Sequence, residues 1–357
     1  MDTKTELPGK LHTKTKEPYS RRRALLLLAV TLGVSLMFSL HLSGCTRRAT
    51  PPPVAVDPAP GPETPPSEPE APEVEHLEGL FLVSIGNNPS GRPPSGLKEA
   101  AVVFEVPAEG GITRLMAGFS TKVGKIGPVR SARKPLVQLA VGFDTPFAHC
   151  GGSDDSFEII RTNNTKSMDD IYSAGECFWR SNDRSAPDNL YTSTDKLIQG
   201  AAKRSFGVSI PDFYQVGTLS GAPALYIAHE FSNSTKYPNL VEYRYQSSSY
   251  VRLINGQEHV NDNGESIAPA ALVFLQVKTT YPTGKAIEVD MDVTGQGKAL
   301  FFSNGVMCEG TWEKPSLKDP IRLNVGSNGA GLEEGMIWIH LVPDLAKVVV
   351  SESLDHR

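Results

Sequence analysis

The sequence has little cysteine and no excess of positive charge. Its 357 residues include only 4 cysteines, and 35 Lys and Arg stand against 40 Asp and Glu. A nucleic-acid-binding protein normally carries a basic patch or stripe, and this mildly acidic balance provides none. Zinc-finger spacing, a Walker loop and a dinucleotide-binding glycine pattern are also missing. The composition therefore predicts no nucleic acid partner, no metal and no cofactor.

Basic residues are absent between Arg48 and Arg92, where proline is abundant instead. Ten prolines occur between Thr50 and Pro72. Such a stretch cannot bury enough apolar surface to fold, and proline favours extended polyproline II. We therefore expect residues 45–78 to form a disordered stalk that holds a folded head away from a membrane.

An apolar run precedes this stalk. Residues 24–42 are almost wholly apolar and follow three arginines, Arg21–Arg23. The run closes in Leu-Ser-Gly-Cys at 42–45, a pattern typical of cleavage before a cysteine that becomes lipidated. We predict a signal peptide over 1–44, lipid attachment at Cys45, and a place on the extracytoplasmic face of the bacterial cell membrane. An uncleaved signal anchor is the alternative, because about 20 apolar residues can span a bilayer.

The rest of the chain changes character near its middle. Up to about residue 215, apolar runs of strand length alternate with helical patterns. Farther on, alternating residues and the hairpin dipeptides Asn255-Gly256 and Asn304-Gly305 predict antiparallel strands. We predict an α+β fold, with an N-terminal mixed α/β domain at 79–218 and a β-rich, mostly antiparallel domain at 222–357. One continuous body is the alternative, because a short linker allows a large shared interface.

Three cysteines remain in this head. Cys150 and Cys177 can form a disulfide in an exported protein, whereas Cys308 has the character of a small buried apolar residue. His149 adjoins Cys150, but neighbours on a strand point to opposite faces, so this histidine cannot readily act as the base for that thiol. With no nucleophile–base pair evident, the sequence favours binding over catalysis.

Arginines in loops rich in Gly and Pro form the candidate site. A guanidinium is a planar fork that matches phosphate and carboxylate groups, and Gly-rich backbone can add amide donors. The predicted anion-binding residues are Arg114, Arg130, Arg133 and Arg184. The predicted pocket adds Glu105, Glu109, Asp144, His149, Ser153 and Tyr191.

Each of these residues also has a structural interpretation. The arginines can pair with Glu105, Glu109 or Asp144 in a partly buried network. His149 can be a hydrogen-bonded core residue, and Ser153 can cap the helix that follows it. Arg184 and Tyr191 can hold a loop in place.

Six short motifs carry a resemblance to a known family. They are Glu-Gly-Gly-Ile-Thr-Arg at 109–114, Ile-Gly-Pro-Val-Arg-Ser-Ala-Arg at 126–133, Asn-Leu-Tyr-Thr-Ser at 189–193, and segments at 250–261, 295–299 and 310–312. The pattern resembles the YerB-like lipoprotein family over about residues 80–350. That resemblance implies an exported bacterial protein of two domains and unassigned function. Two departures are Lys134, inserted before the expected proline, and Asp188, where the family more often has histidine.

Three hypotheses of function follow from these observations. The favoured one is a membrane-anchored binding or scaffold protein of the cell envelope, whose arginine pocket takes an anionic glycan, a lipid phosphate or a protein terminus. The second is an enzyme acting on cell-wall glycan or a phosphate-linked envelope precursor, with His149 or Asp144 as acid or base. The third is a structural partner of another envelope protein, with the β-rich region as the contact surface.

Overall fold

Three stretches of the chain, residues 75–281, 289–326 and 331–354, are described by the computed structural model of the protein. The predicted signal peptide, Cys45 and the stalk up to residue 74 lie outside them. The described residues belong to one compact unit. Within these stretches, no helix combines the length and the apolarity needed to cross a bilayer.

The first region interleaves strands and helices, as the alternating patterns predict. Its helices are α1 (Lys134–Phe143), α2 (Asp154–Thr162) and α3 (Thr194–Lys203). Its strands are β1 (His76–Gly86), β2 (Val102–Pro107), β3 (Thr113–Thr121), β4 (Phe147–His149), β5 (Ser167–Asp169), β6 (Trp179–Arg180) and β7 (Leu190–Tyr191).

The second region is made of strands. They are β8 (Ala222–Pro223), β9 (Tyr226–Ser232), β10 (Asn239–Gln246), β11 (Ser249–Ile254), β12 (Gln257–Glu258), β13 (Ala271–Gln276), β14 (Lys278–Thr280), β15 (Asp290–Asp292), β16 (Gly295–Ser303), β17 (Val306–Lys314), β18 (Arg322–Val325), β19 (Ile337–Val342) and β20 (Val349–Ser351). Both predicted hairpin dipeptides form two-residue turns with positive φ at each position, because Asn and Gly tolerate that conformation.

One large sheet takes strands from both regions. Its order is β18-β17-β16-β13-β19-β2-β3-β1-β4-β5, with β8 paired to β17. Strand β19 lies between β2 and β13 and runs parallel to both, with His340 opposite Glu105. A second sheet, ordered β12-β11-β10-β9-β20, contains only strands of the second region.

The core has two layers, one on each face of the large sheet. On one face, Leu82, Phe104 and Met116 pack with Leu136 and Leu139 of α1. On the other face, the alternate residues of the same strands, including Val83 and Val103, share a cluster with Val241 and Tyr243 of the second sheet. Strand periodicity therefore separates two environments, so Arg114 of β3 and Glu105 of β2 lie on opposite faces of the sheet.

The observed fold agrees broadly with the predicted α+β class. The N-terminal region has a mixed sheet and all three α-helices found among the described residues, and pairing in the C-terminal region is mostly antiparallel. Strand is the dominant element throughout. The boundaries at 79–218 and 222–357 stay a prediction, and the large sheet crosses them.

Candidate anion site

Three of the four predicted arginines converge on the α1 face of the large sheet. Arg114 lies on β3, opposite Gly86 of β1 and Val106 of β2. A Cβ atom at Gly86 would come within 2.8 Å of the Cγ atom of Arg130. Because Gly86 has no side chain, Arg130 can lie across β1 beside Arg114.

Arg114 is a buried cation with unsatisfied donors. Its side chain is 2% exposed, and neither Nε nor Nη1 has a hydrogen-bond partner among the described residues. Burial, followed by the charges of Arg133 and Arg130, lowers the pKa of Arg114 to about 9. The group is still protonated at neutral pH. Burying a charged donor without an acceptor costs free energy, so an anion beside Arg114 would stabilise the fold.

The other two arginines each pair with a carboxylate. The Nη1 atom of Arg130 lies 2.6 Å from Oδ1 of Asp188, and the Nε atom of Arg133 lies 2.6 Å from Oε1 of Glu109. Burial raises the pKa of Glu109, but the hydrogen bond and charge of Arg133 outweigh it and leave that pKa lowered. Three guanidinium groups against two carboxylates leave one positive charge in excess, on or near Arg114.

Asp188 stands where the resembled family more often has histidine. Besides pairing with Arg130, it holds the 87–93 loop in place. Its Oδ2 atom accepts hydrogen bonds from Nδ2 of Asn88 at 3.0 Å and from Oγ of Ser90 at 2.8 Å. A histidine here could not carry the negative charge that now balances Arg130. The departure from the family pattern therefore changes the local charge.

A cavity of about 400 Å³ adjoins this cluster. Arg133 and Glu109 form part of its wall, together with Ser153 at the N-terminus of α2. Lys134, the inserted residue, also lines it and pairs with Asp290 at 2.9 Å. Asp154 and Asp155 in the first turn of α2 also line the cavity, so its wall carries more carboxylates than cationic side chains, and the excess positive charge lies at Arg114 beside it.

Three other predicted residues, Arg184, Tyr191 and Asp144, lie outside this cluster. Arg184 donates to the carbonyl oxygens of Gly91 at 2.7 Å and Pro93 at 2.6 Å, so it holds the 87–93 loop in place. Tyr191 is buried beneath the ammonium group of Lys125. Asp144 is exposed just after α1 and pairs with Lys166. The predictions that placed Arg184, Tyr191 and Asp144 in the arginine pocket are not supported by these positions.

His149 is a hydrogen-bonded core residue. Its Nδ1 atom lies 2.8 Å from the carbonyl oxygen of Gly151 and its Nε2 atom 2.8 Å from Oγ of Ser167. Burial lowers its pKa, so the ring is neutral at pH 7. Both nitrogens have hydrogen-bond partners inside the fold, and the side chain is fully buried. Ser153 occupies the N-cap position of α2, and its hydroxyl contacts Oγ of Ser156.

The predicted disulfide is not formed. Cys150 and Cys177 are free thiols. The Sγ atom of Cys150 donates to Oδ2 of Asp170, and burial raises the pKa of that thiol to about 11. Cys177 is buried against Gly200 of α3, where a Cβ would come within 2.2 Å of Sγ. The two sulfurs therefore have separate surroundings, one polar and one packed against a helix.

Glu105 lies on the opposite face of the sheet from the arginine cluster. It is fully buried, and its Oε1 atom accepts hydrogen bonds from Oγ1 of Thr113 at 2.7 Å and Nδ2 of Asn87 at 3.2 Å. Its Oε2 atom accepts from Nε1 of Trp338 at 2.9 Å and lies 3.0 Å from Nη2 of Arg252. The carboxylate thus joins the two regions of the chain.

Arg252 carries the same network into the second sheet. This fully buried guanidinium donates from Nη1 to the Tyr243 hydroxyl and from Nε to Nδ1 of His259. The Tyr243 hydroxyl in turn lies 2.8 Å from Nε2 of His340. We call Glu105, Arg252, Tyr243, His259, Trp338 and His340 the buried network. Of these six residues, only Glu105 was predicted from the sequence. The signal that pointed to the others was Arg252, an arginine within the alternating strand pattern at 249–254.

Comparisons with known proteins agree with this architecture. Residues 68–207 match the model described as "Protein of unknown function (DUF3048) N-terminal domain", and residues 227–339 match its C-terminal counterpart. "Putative lipoprotein YerB" of Bacillus subtilis (strain 168) is 30% identical over 280 residues, which is 76% of this chain and 83% of that protein. The crystal structure of the Bacillus subtilis YerB protein matches with a TM-score of 0.67 and 28% identity, over 78% of this chain and 94% of that one. The resemblance seen in the six motifs is therefore confirmed, and this chain belongs to the DUF3048 family, in which YerB is a relative.

Proposed function

We propose that this protein is a lipid-anchored binding protein of the bacterial cell envelope, whose arginine cluster binds a phosphate or carboxylate group of an envelope component. The observation that carries the proposal is Arg114, a buried guanidinium with two nitrogens lacking an acceptor. An anion there would satisfy donors that otherwise destabilise the fold.

The surroundings of Arg114 support the same conclusion. Arg130 and Arg133 add two guanidinium groups, which pair with Asp188 and Glu109. These two carboxylates also attract Arg114, but three guanidinium groups still leave one positive charge in excess. An incoming anion can pair with Arg114 without displacing either carboxylate. The cavity beside Arg133 offers room for the group to which the anion is attached.

Binding is favoured over catalysis by the state of His149. That histidine was one of the two acid or base candidates, yet its side chain is fully buried among core residues. The second candidate, Asp144, is paired with Lys166 outside the cluster. The burial of His149 and the position of Asp144 therefore support binding as the proposed function.

Anion binding can be tested with the full chain in detergent and inorganic phosphate as the probe. We expect phosphate to stabilise the protein, by about 2.7 kcal/mol at a concentration 100 times its Kd. Arg114→Met should abolish this gain and should not lower stability in phosphate-free buffer, because it removes an unpaired buried charge at nearly constant length. Urea unfolding with and without phosphate measures both effects.

Arg161→Met is the matched control, because Arg161 is an exposed arginine on α2 outside the cluster. It should keep the full response to phosphate. Acetate serves as a second probe for a site that prefers carboxylate. Equal stabilisation of the parent protein and the Arg114→Met variant by either anion would contradict the proposal, as would no response of the parent protein to both.

The anchor is tested separately at Cys45, which lies outside the described residues. In a bacterial host fed labelled palmitate, the parent chain should incorporate label and lose residues 1–44 on export. Cys45→Ala should incorporate none and should accumulate as the longer precursor. Labelling and mobility that are the same for both chains would instead favour the uncleaved signal anchor.

A further inference from the structure

A second cavity lies against the buried network, on the face of the large sheet away from the arginine cluster. Its volume is about 500 Å³. The 87–93 loop supplies Pro89, Arg92 and Pro93, and the second region supplies the opposite wall. That wall consists of Pro238, Ile254, Asn255, Gln257, Glu258, His259 and Val260. We call this space the Arg92 cavity.

His259 presents a hydrogen-bond donor in this cavity. The residue is 4% exposed, and its Nδ1 atom accepts a hydrogen bond from Nε of Arg252 at 3.2 Å. An arginine nitrogen can only donate, so Nδ1 carries no proton. Burial and the charges of Arg252 and Arg92 lower the pKa of His259 well below its ordinary value, so the ring is neutral. The proton must therefore reside on Nε2.

That Nε2–H group has no acceptor among the described residues. Reversing the ring would put the Cδ2–H group in place of Nδ1 and remove the acceptor for Arg252, so the present orientation is held by that hydrogen bond. The fixed tautomer therefore leaves a buried donor at the edge of a cavity. Native proteins rarely leave such a group unsatisfied.

Arg92 provides a second donor and a positive charge. Its Nε atom is also buried without a partner, and no carboxylate of the described residues lies within ion-pairing distance of its guanidinium. Glu105 is a buried carboxylate whose charge raises the pKa of Arg92, but it already pairs with Arg252. Glu258 is the acidic residue in the cavity wall, and it is exposed.

We propose that the Arg92 cavity binds a carboxylate, held by the guanidinium of Arg92 and the Nε2–H group of His259. One cation and one neutral donor match a singly charged acceptor better than a phosphate, which needs more donors. The walls formed by Pro89, Pro93 and Ile254 suit an apolar group attached to the carboxylate. This site is separate from the proposed anion site, because the sheet lies between them.

The carboxylate can belong to a small organic acid or to the C-terminus of a peptide. Strand β12, which lines the cavity, is the outermost strand of the second sheet. An extended peptide can pair with such an edge strand while its terminal carboxylate enters an adjacent pocket. The experiment below therefore includes both sources.

The test uses the full chain in detergent and isothermal titration with three probes: 3-methylbutanoate, N-acetyl-glycyl-leucine and the C-terminal amide of that peptide. We expect at least one of the two acids to bind and the amide to bind at least tenfold more weakly. Arg92→Met should weaken acid binding by tenfold or more. Glu258→Gln should strengthen it, because it removes the negative charge from the wall.

Arg244→Met is the matched control, since Arg244 is an exposed arginine on β10 outside the cavity. Its affinity should equal that of the parent protein, and so should that of Arg114→Met, which separates this site from the proposed anion site. Binding of the peptide acid but not of 3-methylbutanoate would identify a peptide terminus as the ligand. Equal binding of acid and amide, no binding of either acid, or an unchanged affinity in Arg92→Met would overturn the proposal.

Discussion

Replacing Glu105 with leucine is expected to lower the free energy of unfolding by about 3–5 kcal/mol. The substitution leaves Arg252, which is fully buried, as a charge without its ion-pair partner. It also removes the acceptor for the Trp338 indole and the Thr113 hydroxyl. Loss of a partner inside a buried pair costs far more than the pair itself contributes, because the remaining charge cannot be hydrated. Urea unfolding followed by tryptophan fluorescence measures the change.

A double variant separates the effect of the unpaired charge on stability from the effect of altered side-chain packing. Adding Arg252→Met to Glu105→Leu removes both charges, and we expect it to recover a large part of the lost stability. Glu75→Leu is the control, because Glu75 forms an exposed pair with Lys122 and should leave the urea midpoint unchanged. A Glu105→Leu variant as stable as Glu75→Leu would show that the buried network does not hold the two regions together.

Acidification from pH 7.5 to 5.5 is expected to destabilise the fold steeply. Burial is the main cause that lowers the pKa values of four histidines: His149, His229, His259 and His340. Below pH 6.5 each of them takes up a proton in the unfolded chain but not in the folded one, so unfolding consumes protons and is favoured by acid. Each such histidine contributes up to about 1.4 kcal/mol per pH unit. Urea midpoints at pH 7.5, 6.5 and 5.5 measure the slope.

Between pH 7.5 and 5.5, the change in stability reports protonation of the histidines and not of the carboxylates. Glu109 and Asp262 have lowered pKa values, so their contribution to stability is lost only at lower pH. His149→Asn should reduce the slope by about a quarter whatever its effect on stability at pH 7.5. His76→Gln is the control, because His76 is exposed at the start of β1 and should leave the slope unchanged. A flat stability profile across the window would show that the four rings do not remain neutral in the fold.

Features set by neighbouring residues were predictable from the sequence. The Asn255-Gly256 and Asn304-Gly305 turns formed as expected, since the conformation of a two-residue turn depends on the residues within it. Arg130 and Arg133 lie three residues apart in the loop before α1, so both belong to one local segment. Arg114 lies beside this loop because β3 begins opposite Gly86, where Arg130 crosses β1.

Contacts between distant parts of the chain were not predictable in this way. The bond between Trp338 and Glu105 spans 233 residues, and it depends on β19 inserting parallel to β2. No local pattern specifies which strand will become the neighbour of another. Asp144 was a candidate partner or acid for the arginines and Tyr191 belonged to a motif shared with Arg184, yet Asp144 caps the C-terminus of α1 beside Lys166 and Tyr191 lies in β7 beneath Lys125.

The position of β19 determines when this protein can finish folding. Strand β2 forms early in the chain, but one of its edges is completed only by residues 337–342, which are the last part of the large sheet to be synthesised. During synthesis, β2 therefore keeps an open edge until residues 337–342 have been made. Such an edge is a site for wrong pairing, so the protein is prone to misfolding and aggregation during this interval.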